Sequence, residues 1–259
     1  MLNNPPLIIA HRGASSIAPE NTLIAFRRAI EIGVDGIEFD VTFTSDSIPV
    51  IFHDHDLRRI AGIPSRISKM SYRDIEKIDI GEWFNKSFPT KASNEFLSQR
   101  IPRLDEALQF FGSYAGKIYM EIKSQGEVSE SQLEKILCIT EASSLKENIV
   151  FKSFELSTLT KLRVLHSQCK TAALFSPTVS LLRSRDRMLK LAKAFDVDEI
   201  SLHYLLINKN LVANAKRDGF NVVVWTVNRP SWLVRACKLG IHAVITDDPL
   251  KFKQLKTKI

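Results

Sequence analysis

Short apolar runs bounded by turn residues alternate along this chain with longer stretches whose apolar positions recur every three to four residues, the signature of strands alternating with amphipathic helices. Residues 7–10, 36–41 and 49–52 have strand length and β-branched content, and each run ends on polar residues: His11 and Arg12, Glu38 and Asp40, His53 and Asp54. After the first run Gly13 permits a tight turn, and Asn21 or Thr22 caps a helix that carries Leu23, Phe26 and Ile30 on one face as far as Gly33. Past Arg100 the rhythm is regular. It predicts helix 104–111, strand 117–123, helix 130–142, strand 148–152, helix 156–165, strand 170–175 and helix 181–194. Strand 199–202, helix 209–218, strand 221–227, helix 231–239, strand 243–246 and helix 250–256 follow.

With residues 7–10 and 36–41 as the first two strands, the pattern contains about eight βα units, the number that closes a parallel barrel, so the expected fold class is α/β, a (β/α)8 TIM barrel. An open doubly wound sheet shares the alternation, but no G-x-G-x-x-G turn follows the first strand. Residues 57–100 interrupt the rhythm with short helical pieces, Ser71 ahead of a helix at 72–78, and an aromatic cluster of Trp83, Phe84, Phe88 and Phe96. This reads as a small insertion after the second strand, serving as a satellite core or as a lid over the pocket. No Pro/Ser/Gly-rich break or low-complexity tract divides the chain, so 1–259 is expected to be a single catalytic domain.

Strand side chains alternate faces, so Ile37, Phe39 and Val41 point one way and Glu38 and Asp40 the other. Their Cα atoms would stand roughly 6.5–7 Å apart, close enough to share one cation. A lone E-x-D is more often a solvated edge than a site, but two histidines and an arginine stand beside this one. Strand 117–123 repeats the logic: Ile118, Met120 and Ile122 face one side, Tyr119, Glu121 and Lys123 the other, making Glu121 a third carboxylate. Three carboxylates suit a hard divalent metal, Mg2+ or Ca2+, whereas zinc would draw His or Cys among its ligands, so the histidines are kept off the metal.

Through HRG at 11–13, PENT at 19–22, E-x-D at 38–40, HD at 53–54, E-x-K at 121–123, SF at 153–154, WTVN at 225–228 and TDDP at 246–249, the sequence resembles the glycerophosphodiester phosphodiesterase family. The motifs span nearly the whole chain in order. The resemblance implies a (β/α)8 barrel and hydrolysis of glycerophosphodiesters to sn-glycerol 3-phosphate and an alcohol. It also implies metal binding by Glu38, Asp40 and Glu121 and catalysis by His11 and His53.

Phosphodiester hydrolysis needs charge neutralised on the non-bridging oxygens, a nucleophile activated and the leaving oxygen protonated. Arg12 and Lys123 are placed to hold the phosphate, His11 and His53 to act as an acid/base pair, and Trp225 to form an apolar wall of the substrate pocket. Glu20 is a secondary candidate, for the metal or for anchoring its loop. Attack by a neighbouring glycerol hydroxyl through a cyclic phosphate, or by water directly, both fit; the high effective concentration of a neighbouring hydroxyl favours the first. Asn228 and Asp247 read as turn and capping residues, and His55, His166, His203 and His242 as structural, with His203 set apart because it follows the sixth strand. Two departures from the family pattern stand out: Ser47 where glycine is common in the turn before HD, and Ile60 and Ala61 where threonines are usual after it.

Composition adds little to this picture but removes rivals. The apolar run at the N-terminus has no Lys or Arg ahead of it and is too short for a signal peptide or a span, so a cytoplasmic protein is expected. Cys138, Cys169 and Cys237 are scattered singly, which suits a reducing compartment, and core packing is expected for all three. The formal charge of +7 is spread over many helices, with mild concentrations at 183–193 and 251–258. The scatter argues against a nucleic-acid binder, and the first concentration has the apolar spacing of an outer helix. A membrane-surface helix, and with it a lysophospholipase D-type activity on lysophospholipids, is the lesser alternative. The expected partner is a small glycerophosphodiester, with the protein a monomer or homodimer.

Overall fold

The computed structural model describes residues 5–123, 127–177 and 185–257. The chain opens with β1 (Leu7–His11), α1 (Leu23–Ile32), β2 (Gly36–Phe43) and β3 (Pro49–Ile51). A run of short pieces follows: β4 (Asp56–Leu57), α2 (Arg58–Ala61), β5 (Ile63–Arg66), α3 (Tyr72–Ile75) and α4 (Glu82–Ser87). Then come α5 (Leu104–Phe111), β6 (Lys117–Ile122), α6 (Glu130–Glu141), β7 (Ile149–Ser153), α7 (Leu156–Leu165), β8 (Lys170–Phe175) and α8 (Arg185–Ala194). The chain closes with β9 (Glu199–His203), α9 (Lys209–Arg217), β10 (Asn221–Trp225), α10 (Ser231–Leu239), β11 (Ala243–Thr246) and α11 (Pro249–Lys256).

Among the described residues nine strands form one sheet, in the order β1, β11, β10, β9, β8, β7, β6, β2, β3, and β1 also pairs with β2. All pairs are parallel except β2 with β3, so eight strands close a (β/α)8 barrel and β3 folds back as an antiparallel extension of β2. Alternation divides the strand side chains into two cores. Ile9, Tyr119, Val150, Ala172, Val223, Ala243 and Ile245 fill the barrel, and Tyr119 donates its hydroxyl to Glu199 at 3.0 Å. Ile37, Phe39, Val41, Ile118, Met120 and Ile122 point outward into the layer shared with the helices. Every residue of β2 is buried, as a strand covered on both faces must be.

Local signals place the helices. Thr22 accepts from the Ala25 N–H to start α1, and Gly33 ends it at φ 75°. Ser129 and Gln132 form a capping box on α6, and Asp248 with Pro249 starts α11. The helix expected at 72–78 stops at Ile75, and beyond it Asp79 accepts from the Gly81 and Glu82 N–H groups and turns the chain into α4. Ser47 sits at φ 57°, in the left-handed region that favours glycine.

Residues 57–100 pack two satellite cores. One joins Leu57, Ile60, Ile67, Tyr72 and Ile75 to Val50 and Phe52; the other joins Phe84 and Phe96 to Ala18, Ile24 and Ala25. Phe84 meets Phe88 at 4.8 Å and Phe96 at 5.3 Å. Of the three cysteines expected in the core, Cys169 is buried, which pushes its thiol up to about 11, Cys237 is only partly buried, and Cys138 is exposed, because Leu133, Ile136, Leu137 and Thr140 form the inner stripe of α6. On α8, Met188, Leu189 and Ala192 are buried as an outer helix requires; the start of the expected helix, 181–184, lies outside the described residues. Among the described residues no helix is long and apolar enough to cross a membrane.

Candidate active site

Barrel register does for the site what sequence distance cannot. Pairing sets His11 beside Glu38, Asp40 beside Glu121 and Glu121 beside Lys152, all near the C-terminal ends of β1, β2, β6 and β7. Glu38, Asp40 and Glu121 are 1%, 1% and 7% exposed, and each offers a carboxylate oxygen within 4.8 Å of the others.

Three basic groups offset these acids. Arg12 Nε lies 3.1 Å from Asp40 Oδ2, Lys123 Nζ lies 3.0 Å from Asp40 Oδ1 and also meets Glu121, and Lys152 Nζ lies 3.2 Å from Glu38 Oε1. Burial pushes the Asp40 carboxyl up, but Lys123 first and Arg12 next outweigh it and hold it well below the usual carboxylate range. The donor set is all oxygen and anionic. Asp40 Oδ1, buried, faces the Lys123 ammonium at 3.0 Å, so a bound ion would share that oxygen with the lysine. The trio can therefore hold a hard cation. Lys152 was not among the expected site residues.

The loop after β1 delivers His11 and Arg12. Gly13 is at φ 82°, and a Cβ there would lie 2.7 Å from the Ala25 carbonyl carbon, so the chain can cross the start of α1 only with glycine at this point. Arg12 and Asn21 also hold positive φ, at 55° and 57°. Asn21, buried, donates Nδ2 to Asp40 Oδ2 at 2.9 Å, and Arg12 donates to Glu20 at 2.8 Å, so PENT braces the site from outside the carboxylate trio.

Each histidine is backed by a carboxylate. His11 Nδ1 is 2.6 Å from Asp247 Oδ1, and His53 Nδ1 is 2.7 Å from Asp54 Oδ1. An ionised carboxylate only accepts, so Nδ1 carries the proton in both rings and Nε2 is left for chemistry. His11 Nε2 lies 3.8 Å from Glu38 Oε2. Burial pushes Asp247 up, but its bond to His11 and then its bond from Asn228 hold it below the usual range; Asp54 is depressed likewise, with burial opposed by His53 and Arg59. Asp247, expected as a turn or capping residue, instead orients His11. The signal was the doubled acid of TDDP: Asp248 accepts from the Lys251 N–H as the cap, which leaves Asp247 facing the barrel mouth. Asn228 does brace the turn, accepting from the Asp247 N–H at 2.9 Å.

A cavity of about 460 Å3 opens between the histidines and an uncharged wall of Phe154, Trp225 and His203. Trp225 donates Nε1 to the Ser201 carbonyl at 3.1 Å, which fixes its ring, and Phe154 and His203 stand nearly perpendicular to it at 5.7 and 5.2 Å. Burial lowers the His203 pKa and keeps it neutral, so it is part of this wall. A second cavity of about 480 Å3 shares His53, Glu121, Lys123 and Phe154 with the first.

A closed parallel barrel with an acidic trio, paired imidazoles and flanking cations at its C-terminal mouth has the equipment of a phosphoric diester hydrolase. The model of the glycerophosphoryl diester phosphodiesterase family matches residues 11–251, and the chain belongs to that family of hydrolases. A glycerophosphodiester phosphodiesterase of Caldanaerobacter subterraneus is 31% identical over 245 residues, covering 94% of each chain. A solved Oleispira antarctica phosphodiesterase, in complex with the product sn-glycerol-3-phosphate, is 26% identical with a TM-score of 0.83 and covers 98% of this chain and 97% of its own. A Silicibacter pomeroyi structure, 24% identical with a TM-score of 0.87 over 99% of this chain and 95% of its own, shares the fold.

Proposed function

We propose that the protein hydrolyses glycerophosphodiesters to sn-glycerol 3-phosphate and an alcohol, with a divalent ion, Mg2+ or Ca2+, held by Glu38, Asp40 and Glu121. The observation that carries this reading is the pair of carboxylate-backed imidazoles, His11 and His53, lining one cavity with Glu38 and Glu121 of the acidic trio. Bound there, the ion would supply neutralising charge to the phosphoryl oxygens. Arg12, a planar fork, and Lys123, a point charge, hold the phosphate from the same side. One imidazole takes a proton from the neighbouring glycerol hydroxyl as its oxygen bonds to phosphorus, and the other gives a proton to the alcohol oxygen as that P–O bond breaks. Water, deprotonated by the second imidazole, then adds to phosphorus and opens the cyclic phosphate, the first imidazole returning its proton to the glycerol oxygen, which leaves sn-glycerol 3-phosphate. The product bound by the Oleispira relative is the one expected here. Trp225 lines the pocket on its apolar side, with Phe154 and His203 beside it, and excludes water from one flank of the diester.

The test is release of glycerol 3-phosphate from glycerophosphocholine and glycerophosphoethanolamine by chelator-treated protein, with Mg2+ or Ca2+ added back, alongside His11→Ala, His53→Ala and Glu121→Gln. Turnover restored by one ion and abolished in the variants is expected. Turnover that survives chelation overturns the metal site, and full activity in either histidine variant overturns the acid/base pair.

A further inference from the structure

We propose that Arg59, contributed by the segment between β3 and α5, is a positioning residue that fixes His53 through Asp54 and ties it to the loop carrying Arg12. The inference rests on the acid/base reading of His53 above. His53 follows β3 in irregular chain and is a third exposed, with no barrel strand to fix its direction as β1 fixes His11. A catalytic side chain on such a stretch is held only as well as its supports hold it.

Arg59 supplies that support with all three of its guanidinium nitrogens. Nε donates to Asp54 Oδ2 at 2.7 Å, while the two terminal nitrogens fork onto Glu20 at 2.7 and 3.0 Å. The other oxygen of Asp54 takes His53 Nδ1 at 2.7 Å, and Glu20 Oε1 also takes Arg12 at 2.8 Å. The guanidinium lies 5.4 Å from the centre of the Trp83 ring, which is itself edge-on to the buried Phe84 at 5.9 Å. A continuous chain of contacts thus runs from the satellite core to both proposed phosphate-handling elements. It gives residues 57–100 a function that requires no motion: they brace the site. Burial lowers the pKa of Arg59, but the bonds and charges of Glu20 and Asp54 raise it further, so the clamp stays charged at any working pH.

The experiment compares Arg59→Met, Arg59→Lys, Asp54→Asn and the Arg59→Met/Asp54→Asn pair with His53→Ala, in steady-state kinetics on glycerophosphocholine with saturating metal. Arg59→Met should lower kcat about 10–100-fold, the usual cost of removing a group that orients a functional side chain, with KM within about threefold. Arg59→Lys keeps the charge but cannot span two carboxylates, so it should recover part of the loss. The double variant should be no worse than the poorer single, because both act through one imidazole. A second readout does not depend on turnover: in 15N spectra of metal-free protein, His53 should be the Nδ1–H tautomer in the parent and a mixture in Arg59→Met. Loss of activity in His53→Ala together with a parental kcat and an unchanged His53 tautomer in Arg59→Met overturns the role of Arg59 alone. An active His53→Ala overturns the reading beneath it. Multiplicative losses in the double variant also overturn the proposal, since Arg59 would then act by another route.

Discussion

Lys152→Met tests how three carboxylates can be buried so close together. Lys152 is on β7, its side chain 2% exposed, its Nζ 3.2 Å from Glu38 Oε1 and 5.9 Å from the centre of the Tyr119 ring. At that separation an effective dielectric near 20 gives an attraction of about 5 kcal/mol. Methionine fills similar volume without charge and spares the desolvation of the ammonium, so the net loss is smaller than the attraction. Breaking a buried pair costs about 3–5 kcal/mol, chiefly because the remaining charge is stranded. Glu38 is not wholly stranded, since the Arg12 N–H still reaches it at 3.3 Å and His11 Nε2 at 3.8 Å. The lower end applies, about 3 kcal/mol, or about 6–12 °C in Tm for a chain of this size.

The assay is thermal unfolding of parent and variant, first in chelator and then with Mg2+ or Ca2+ added back. The gap should be full in chelator and should narrow with the ion, because a dication among the carboxylates takes over the balancing role of the lost lysine. A variant that melts within about 2 °C of the parent in chelator would refute the stranding argument. A gap that ignores the ion would show that Lys152 does not balance the same acids.

Three further outcomes follow from particular contacts. Asp247→Asn keeps the shape of the His11 support but removes the charge that fixes its tautomer; kcat should fall roughly 100-fold or more with KM little changed, and a parental kcat in steady-state assays would contradict the contact's role. Gly13→Ala should cost about 2–4 kcal/mol from the left-handed φ and the clash with Ala25, read as a drop in Tm, and a melt equal to the parent's would contradict it. Asp35 accepts from the Ile8 N–H at 2.8 Å and from Lys256 at 2.9 Å; burial pushes its carboxyl up, yet Lys256 and Ile8 outweigh it and hold it below its usual 3.8. A depressed folded pKa gives stability that is present above the unfolded value and lost as pH falls through the folded one. Asp35→Asn should therefore cost about 1–2 kcal/mol at pH 7, and the gap should close below pH 3.8; equal gaps in urea midpoints at pH 7 and pH 3 would contradict this.

The parts of the site that could be read from sequence are those written in local periods. The inward direction of Glu38, Asp40 and Glu121 follows from a two-residue alternation within single strands, and the barrel follows from the count of βα units. Asp247 was misread because its partner is 236 residues away, and the local meaning of an acid before Asp-Pro is a helix cap, a role its neighbour Asp248 fills. Lys152 shows the same limit: it ends an apolar run like any strand-terminal lysine, and its pairing with Glu38, 114 residues earlier, exists only because β6 carries it to β2.

Charge arithmetic ties the missed lysine to the proposed reaction. Without an ion, Glu38, Asp40 and Glu121 contribute three negative charges and Lys152, Arg12 and Lys123 three positive ones beside them, while Asp247 and Asp54 behind the two histidines add two more negative charges, so the mouth opposes entry of an anionic diester. A bound dication offsets those two charges and sets positive charge where the one negative charge of a phosphodiester must sit. The opposite wall, Phe154, Trp225 and His203, adds no carboxylate to that balance. The cations therefore have two physical consequences at once: they allow three carboxylates to be buried together, and they make attraction of the substrate conditional on the ion. Glu20, held by Arg12 and Arg59 outside the trio, is a further acid whose charge Arg59 offsets.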